Sequence, residues 1–257
     1  MRLAALIGAL LLLCRTAAAQ QRDSLPPIDT DRPDFTDGVH TMPRGRVEFE
    51  TGYTYQHARG PDAGHSHSVP EALVRFGLLP GLEVRAGENY LVLRGDGPGA
   101  TTVRGFDDTY LGIKASATRQ HGWLPALSFE VKANLPTGSD GISAREVLPG
   151  GALLLGWETS GPWSAGIEGF VTRAAIGVQA IGSLSIQFQP AAHAQFYGEA
   201  YSLQPVNGGA GARAQHYVDS GVLVLLSNDM QLDARIGIGL NRNADRYFTG
   251  LGFAIRR

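Results

Sequence analysis

The amino-acid sequence predicts an all-β protein that folds as an antiparallel transmembrane β-barrel of about 12 strands. Segments of roughly ten residues alternate between apolar and polar side chains, as strands with one oily and one wet face do. The breaks between them are mostly short turns and longer loops in alternation, and the number of segments is even. A soluble β-sandwich stays open as an alternative because it also alternates, but it does not require short turns at one end.

Residues 231–241 form the clearest of these segments. Their odd-numbered positions are polar or glycine, and their even-numbered positions are apolar: Leu232, Ala234, Ile236, Ile238 and Leu240. The pattern is that of a strand with its apolar face against another layer or against lipid. If the partner is lipid, the sheet must close into a barrel, because no open strand edge survives in hydrocarbon.

The sequence divides into three parts. Residues 1–19 are interpreted as a secretory signal peptide, in which a positive start precedes an apolar run and Ala17 and Ala19 mark cleavage before Gln20. Residues 20–44 are polar and rich in Pro and Asp, and they are expected to form an N-terminal periplasmic arm or plug. Residues 45–257 are expected to form the outer-membrane barrel. The pattern leaves strand boundaries open at residues 88–94 and 173–183.

The composition of the chain limits the classes of partner that we expect for the protein. Cys14 falls within the predicted signal peptide, and no later apolar run is long enough for a membrane helix. A net charge of −2 provides no basic surface for nucleic acid. We expect the protein in the bacterial outer membrane, with outer-membrane lipid, small-molecule solutes and the barrel assembly machinery as partners. The final Arg256-Arg257 pair departs from the aromatic residue that usually ends such barrels.

Several short motifs point to one family. They are TDRPDFTDG at residues 30–38, LPTG at 135–138, YGE at 197–199, QLDARIGIGLN at 231–241 and DRYFTGLGFAIR at 245–256. In these segments the chain resembles the bacterial outer-membrane transporter-like proteins that are grouped under the MetA pathway of phenol degradation. The resemblance implies a barrel that admits small molecules, often hydrophobic or aromatic.

Charged residues on the polar faces of the strands form the main candidate site. In a barrel they point into the lumen, where they form ion pairs and also set which solutes pass. The candidates for pore lining are Glu48, Glu50, Arg75, Glu83, Arg85, Asp108, Lys114, Glu130, Lys132, Glu199, Asp219, Asp233 and Arg235.

The N-terminal arm supplies a second candidate site. It is too long for a simple leader into the first strand and too polar to lie in lipid. Because a barrel protein of this kind begins and ends its strands at the periplasmic end, the arm lies beside inward charges. We expect a partial plug with four candidate residues, Asp31, Arg32, Asp34 and Phe35, against the alternative of a disordered tail.

Two other groups of residues give weaker evidence of a functional site. His65-x-His67 could offer two imidazoles to a metal, but no carboxylate or cysteine accompanies them in a fixed frame. Serine and histidine could form an acyl hydrolase on the barrel wall, yet no Gly-x-Ser-x-Gly elbow is present, and neither His193 nor His216 can be paired with a serine from spacing. We therefore expect no metal, no cofactor and no catalytic residue.

Three functional hypotheses remain at this point. The first is a passive outer-membrane channel for small solutes, including hydrophobic or aromatic compounds. The second is a closed-lumen barrel with a structural or lipid-modifying enzymatic role, and the third is a soluble periplasmic β protein. Conductance separates the first two, and cell fractionation separates both from the third.

Overall fold

A computed structural model describes residues 25–60, 64–96, 99–174, 177–207 and 212–257; the predicted signal peptide lies outside the described residues. All the regular elements in the described part of the chain are strands. Their bounds are β1 Val47–His57, β2 His65–Leu79, β3 Leu82–Arg94, β4 Thr102–Phe106, β5 Thr109–Thr118, β6 Ala126–Leu135, β7 Leu148–Glu158, β8 Trp163–Ala174, β9 Gly177–Ala191, β10 Ala194–Pro205, β11 Gln215–Ser227, β12 Met230–Gly239 and β13 Tyr247–Arg256.

The strands form one closed antiparallel barrel. Apart from β4, each strand pairs with the strands that precede and follow it in the chain, and β1 pairs with β13, from Glu48 opposite Arg256 to His57 opposite Tyr247. The short strand β4 and the strand β5 together fill one position in the wall, because both pair with β3, at different heights. The wall therefore has 12 strand positions, as the sequence predicts.

The two ends of the barrel differ in their connections. Five links lie at the end where β1 begins and β13 ends, and four of them span two residues or four, at 80–81, 159–162, 192–193 and 228–229. Gly81 takes a left-handed backbone with φ +77°, which suits a two-residue hairpin. Most links at the other end are longer, including residues 136–147 and 206–214. By this asymmetry the first end is periplasmic and the second extracellular.

The two faces of the wall differ in polarity. Large apolar side chains are exposed on the outer face, whereas buried charges fill the inner face. On β12, the side chain of Ile236 is 62% exposed and that of Asp233 only 5%, so the predicted register of this strand is confirmed. No helix among the described residues has the length and apolarity to cross a bilayer.

Strand β3 settles one open boundary. Glu88 shares the outward parity of Leu82 and Val84, and its carboxylate accepts a hydrogen bond from Thr109 Oγ1 at 3.4 Å. Thr109 is the first residue of β5, at the extracellular side. Glu88 thus keeps the register of the strand and lies toward the extracellular end of the wall. The bulge in this region falls on β2 instead, between Ser68 and Glu71.

We expect Ile236→Arg to destabilise the barrel, because the substitution places a charge on the outer face. The cost is roughly 2–4 kcal/mol at the bilayer midplane and falls toward the interfaces. Urea unfolding in lipid vesicles measures it, with Ile236→Val as the matched control. Equal stability of Ile236→Arg and the native chain would show that this face does not meet lipid.

Candidate functional site

The described part of the N-terminal arm, residues 25–44, contacts the inner wall on widely separated strands. Met42 N donates a hydrogen bond to Glu83 of β3 at 2.7 Å, and Asp37 N donates to Glu168 of β8 at 3.0 Å. On a third side, Arg235 of β12 donates to Pro33 O at 2.8 Å. Because these strands lie around the ring, the arm crosses the interior of the barrel.

Wall carboxylates accept hydrogen bonds from the backbone of the arm. Both oxygens of Glu50 accept from consecutive amides, those of Asp31 at 3.2 Å and Arg32 at 3.1 Å. Glu199 does the same for Phe35 and Thr36, each at 2.7 Å. A buried N–H without an acceptor is costly, and the arm has no strand partner here. The conformation of the arm thus depends on side chains of the wall.

Asp31 of the arm lies close to three cations of the wall. Its carboxylate contacts Arg85 directly, and it lies 3.2 Å from Lys114 Nζ and 3.5 Å from Arg75 Nε. Burial alone would raise the pKa of Asp31, but these cations hold that pKa well below its ordinary value. The carboxylate is therefore ionised and closes a cation cluster that extends over β2, β3 and β5.

Eight of the predicted pore-lining residues join this cluster. Arg75 binds Glu48 and Glu83, each at 2.9 Å, and also reaches Glu50 at 3.3 Å. Arg85 contacts Glu130, which lies 3.5 Å from Lys132 Nζ. The charges are buried together, so the loss of one leaves its partners uncompensated. The members are Glu48, Glu50, Arg75, Glu83, Arg85, Lys114, Glu130 and Lys132.

A second group of predicted residues lies on β10, β11 and β12, where Glu199 binds the arm as described. Arg32 of the arm binds Glu71 at 2.7 Å and lies 3.6 Å from Asp233. Arg235 also donates to Thr54 Oγ1 at 2.9 Å, and Asp219 accepts from Tyr197 OH at 3.5 Å. Carboxylates are in excess on this side of the lumen.

Asp34 extends that excess into the arm. Its carboxylate accepts from Ser185 Oγ at 3.2 Å and lies 3.4 Å from Gln187 Nε2. Burial raises the pKa of Asp34 well above its ordinary value, and the nearby carboxylate of Glu199 raises it further. The pKa values of Asp31 and Asp34 thus shift in opposite directions although the two residues are three positions apart, because cations surround one and carboxylates the other.

Glycines of the wall make room for the arm. A Cβ on Gly52 would lie 2.3 Å from the guanidinium carbon of Arg32, and one on Gly252 would lie 2.4 Å from Arg32 Nε. On the opposite side, a Cβ on Gly156 would lie 2.6 Å from Val39. Side chains at these positions would exclude the arm from its observed place, so the wall is shaped to fit it.

Asp108 and Asp37 make contacts that strand parity does not predict. Asp108 does not join the lumen cluster: its carboxylate accepts from Gly138 N at 3.0 Å and Ala144 N at 2.9 Å, and so orders an extracellular loop. Conversely, Asp37 was not among the plug candidates, yet it lies 3.0 Å from Arg85 Nη1. Strand parity could not identify it, because the arm has no period.

The histidines of the outer wall pair with neighbouring side chains. His67 Nδ1 lies 2.9 Å from Tyr53 OH, and His65 Nδ1 lies 3.3 Å from Asp96. In the described part of the chain, no group of three or more His, Cys, Asp and Glu side chains is arranged to hold a metal ion. On the strand pair β10–β11, Ser202 Oγ lies 2.8 Å from His216 Nδ1.

The sequence matches the model of a known protein family. A family model described as "Putative MetA-pathway of phenol degradation" matches residues 30–256. The chain belongs to this family. The match begins at Thr30 and therefore includes most of the described arm together with the barrel. No curated protein matches the sequence.

Solved structures share the fold. The COG4313 outer membrane channel from Pseudomonas putida F1 superposes with a TM-score of 0.68 at 12% identity, over 85% of this chain and 98% of that one. The NanC porin gives 0.56 at 8% identity, over 81% and 98%. The translocator domain of the autotransporter NalP from Neisseria meningitidis gives 0.52 at 12% identity, over 82% and 87%. The fold is thus that of an outer-membrane barrel.

We expect Arg75→Met to lower the free energy of unfolding by about 3–5 kcal/mol, because it leaves Glu48, Glu50 and Glu83 without their shared cation. The matched control is Arg173→Met, which removes an exposed ion pair with Glu146 and should cost at most about 1 kcal/mol. Guanidinium unfolding in detergent measures both variants. Similar losses for the two would contradict a special role for the buried cluster.

Proposed function

We propose that this protein is a passive outer-membrane channel for small solutes, including hydrophobic and aromatic compounds, whose lumen is narrowed by residues 25–44 acting as a partial plug. The observation that carries the proposal is the arm inside the barrel, bound to the wall by side chains. Between residues 29 and 43, every described hydrogen bond from the arm to the wall involves a side chain, and none belongs to a β-ladder.

A segment bound in this way can leave without opening the barrel. The wall hydrogen bonds run from strand to strand and stay intact when the arm moves. At its base the arm is fixed, because Gly45 N donates to Gly77 O at 2.7 Å and Arg44 forms a bridge with Gly77. The arm would therefore swing from its junction with β1 while the 12-strand wall remains closed.

The charged lumen supports selectivity as well as structure. The predicted pore-lining residues face the same interior as the arm, so displacement of the arm uncovers both the cation cluster and the carboxylates of β10 and β11. Asp108 would act at the extracellular loop instead. Rings of charged side chains determine which solutes enter pores of this type.

Similar proteins of known structure and the description of the family also support this proposal. Two proteins with the same fold are named as an outer membrane channel and a porin, and the family description refers to phenol degradation. In this proposal the partners are outer-membrane lipid, small-molecule solutes and the barrel assembly machinery. The protein is not an enzyme and uses no cofactor.

A reversible disulfide tests the plug. Thr36 Oγ1 lies 2.7 Å from Ser183 Oγ, so the double variant Thr36→Cys, Ser183→Cys should place two thiols close enough to bond. We expect low conductance in planar bilayers under oxidising conditions and a rise on addition of dithiothreitol, because only the reduced arm can leave the lumen.

The single variant Ser183→Cys, treated with the same oxidant and reductant, is the control and should not respond. Liposome swelling with small neutral solutes provides a second measurement. A double variant that forms the disulfide and conducts equally before and after reduction would reject the plug. A barrel that stays closed to every small solute after reduction would reject the channel.

The pair Ser202 and His216 is the observation that favours the enzymatic alternative. Both side chains lie on the outward face near the extracellular end, where a lipid ester could approach, and Gln204 Nε2 also donates to Ser202 Oγ at 2.8 Å. A serine nucleophile needs a histidine that accepts its proton and a third group that orients that histidine.

We expect no covalent labelling of Ser202 by a fluorophosphonate probe, because a cross-strand hydrogen bond alone does not activate a hydroxyl. The probe is applied to the native chain and to Ser202→Ala in vesicles, followed by mass spectrometry of the labelled peptide. Labelling that disappears in Ser202→Ala, with hydrolysis of a p-nitrophenyl ester, would establish the enzymatic alternative.

A further inference from the structure

Four aromatic rings form a continuous stack inside the lumen. The ring of Phe35, on the arm, lies parallel to that of Tyr201 with centroids 4.3 Å apart and an interplanar angle of 4°. Tyr201 stacks in turn on Tyr217 at 4.9 Å, and Tyr217 meets Phe248 edge-on at 6.2 Å. Three rings belong to the wall, on β10, β11 and β13, and one belongs to the arm.

The stack extends toward the extracellular end. Tyr201 and Tyr217 are opposite each other across β10 and β11, and Tyr217 is opposite Gly239 at the end of β12. Ala244, in the extracellular loop after β12, is 1% exposed and packs in the same cluster. An aromatic surface therefore runs from this loop to the tip of the arm.

Phe35 differs from the other three rings because it belongs to the arm and not to a strand of the wall. Its backbone N–H donates a hydrogen bond to Glu199, and its ring lies parallel against one face of Tyr201. Parallel ring stacking is favourable for a solute as well as for a side chain. Phe35 thus has the position that an aromatic solute would take.

We propose that the face of Tyr201 is a binding site for an uncharged, hydroxyl-bearing aromatic molecule, that Phe35 occupies this site in the resting protein, and that the solute displaces Phe35 and thereby releases the arm. This inference rests on the proposed function and deepens it, because it names the class of solute and the contact that opens the plug.

The charges around the stack select against anionic rings. Glu199 and Asp219 lie opposite each other on β10 and β11, two residues along each strand from Tyr201 and Tyr217. Asp219 Oδ1 is buried and has no hydrogen-bond partner among the described residues. A hydroxyl on the solute would provide the donor that this oxygen lacks, whereas a carboxylate on the solute would be repelled.

Because Phe35 and the solute compete for the face of Tyr201, substitutions of Phe35 and of Tyr201 should change the affinity for the solute in opposite directions. The apparent affinity of a solute falls in proportion to the fraction of protein whose site is free. Phe35→Leu should therefore strengthen binding by about two- to tenfold, the range that corresponds to the loss of one aromatic pair. Tyr201→Leu should weaken binding, because it removes the face on which the solute stacks.

The experiment measures binding of 4-fluorophenol to the full-length protein in detergent micelles by ¹⁹F NMR titration. The native chain, Phe35→Leu and Tyr201→Leu are compared with Phe188→Leu, a control that removes a ring packed at a tilt against Trp163 in another part of the barrel. Empty micelles correct for partitioning, and 4-fluorobenzoate tests the rejection of anions. The disulfide-locked Thr36→Cys, Ser183→Cys variant should bind 4-fluorophenol more weakly when oxidised than when reduced.

Tyr217→Leu replaces Tyr201→Leu if the latter does not fold, as judged by circular dichroism and heat-modifiable migration, and it should also weaken binding. A loss of affinity in Phe35→Leu, or no change in either ring variant, overturns the proposal. Binding is measured at equilibrium without ion flow. Opposite effects of the two variants in a barrel that does not conduct would leave this site standing and reject the channel.

Discussion

A carboxylate that faces a closed lumen must find a cation or a hydrogen-bond donor, and this need determines how the arm and the wall fit together. The wall offers more carboxylates than cations. Glu50 and Glu199 are satisfied by backbone amides of the arm, while Arg75, Arg85 and Lys114 gather around Asp31. Each part thus supplies what the other lacks.

The sequence predicts the barrel well because lipid and charge sort side chains to opposite faces. Alternation on β12 identifies the outer residues correctly, and the same parity places Glu48, Glu50 and Glu130 in the interior. Their role in lining a pore stays a prediction. The abundance of glycine also has a physical account, since Gly52, Gly156 and Gly252 each leave space for a side chain of the arm.

The features that the sequence does not predict depend on contacts that follow no periodic pattern in the sequence. Asp107 and Asp108 lie between β4 and β5, and the carboxylate of Asp108 accepts a hydrogen bond from a loop, a contact that strand parity does not predict. Asp37 lies in the irregular arm, where only the three-dimensional path brings it to Arg85. The stack of Phe35 on Tyr201 joins residues far apart in the chain and could not be found from either segment alone.

The arm precedes every strand in the chain, yet its contacts are spread over almost the whole barrel. The hydrogen bond from Arg235 to Pro33 O joins residues 202 positions apart, and Glu199 lies 164 positions beyond Phe35. Contacts this distant form late, because the loop between them must first close. The earliest-synthesised described segment is therefore the last to settle, and a barrel with a misplaced strand would have no complete cradle to receive it. Insertion of the arm would act as a check that the ring has closed correctly.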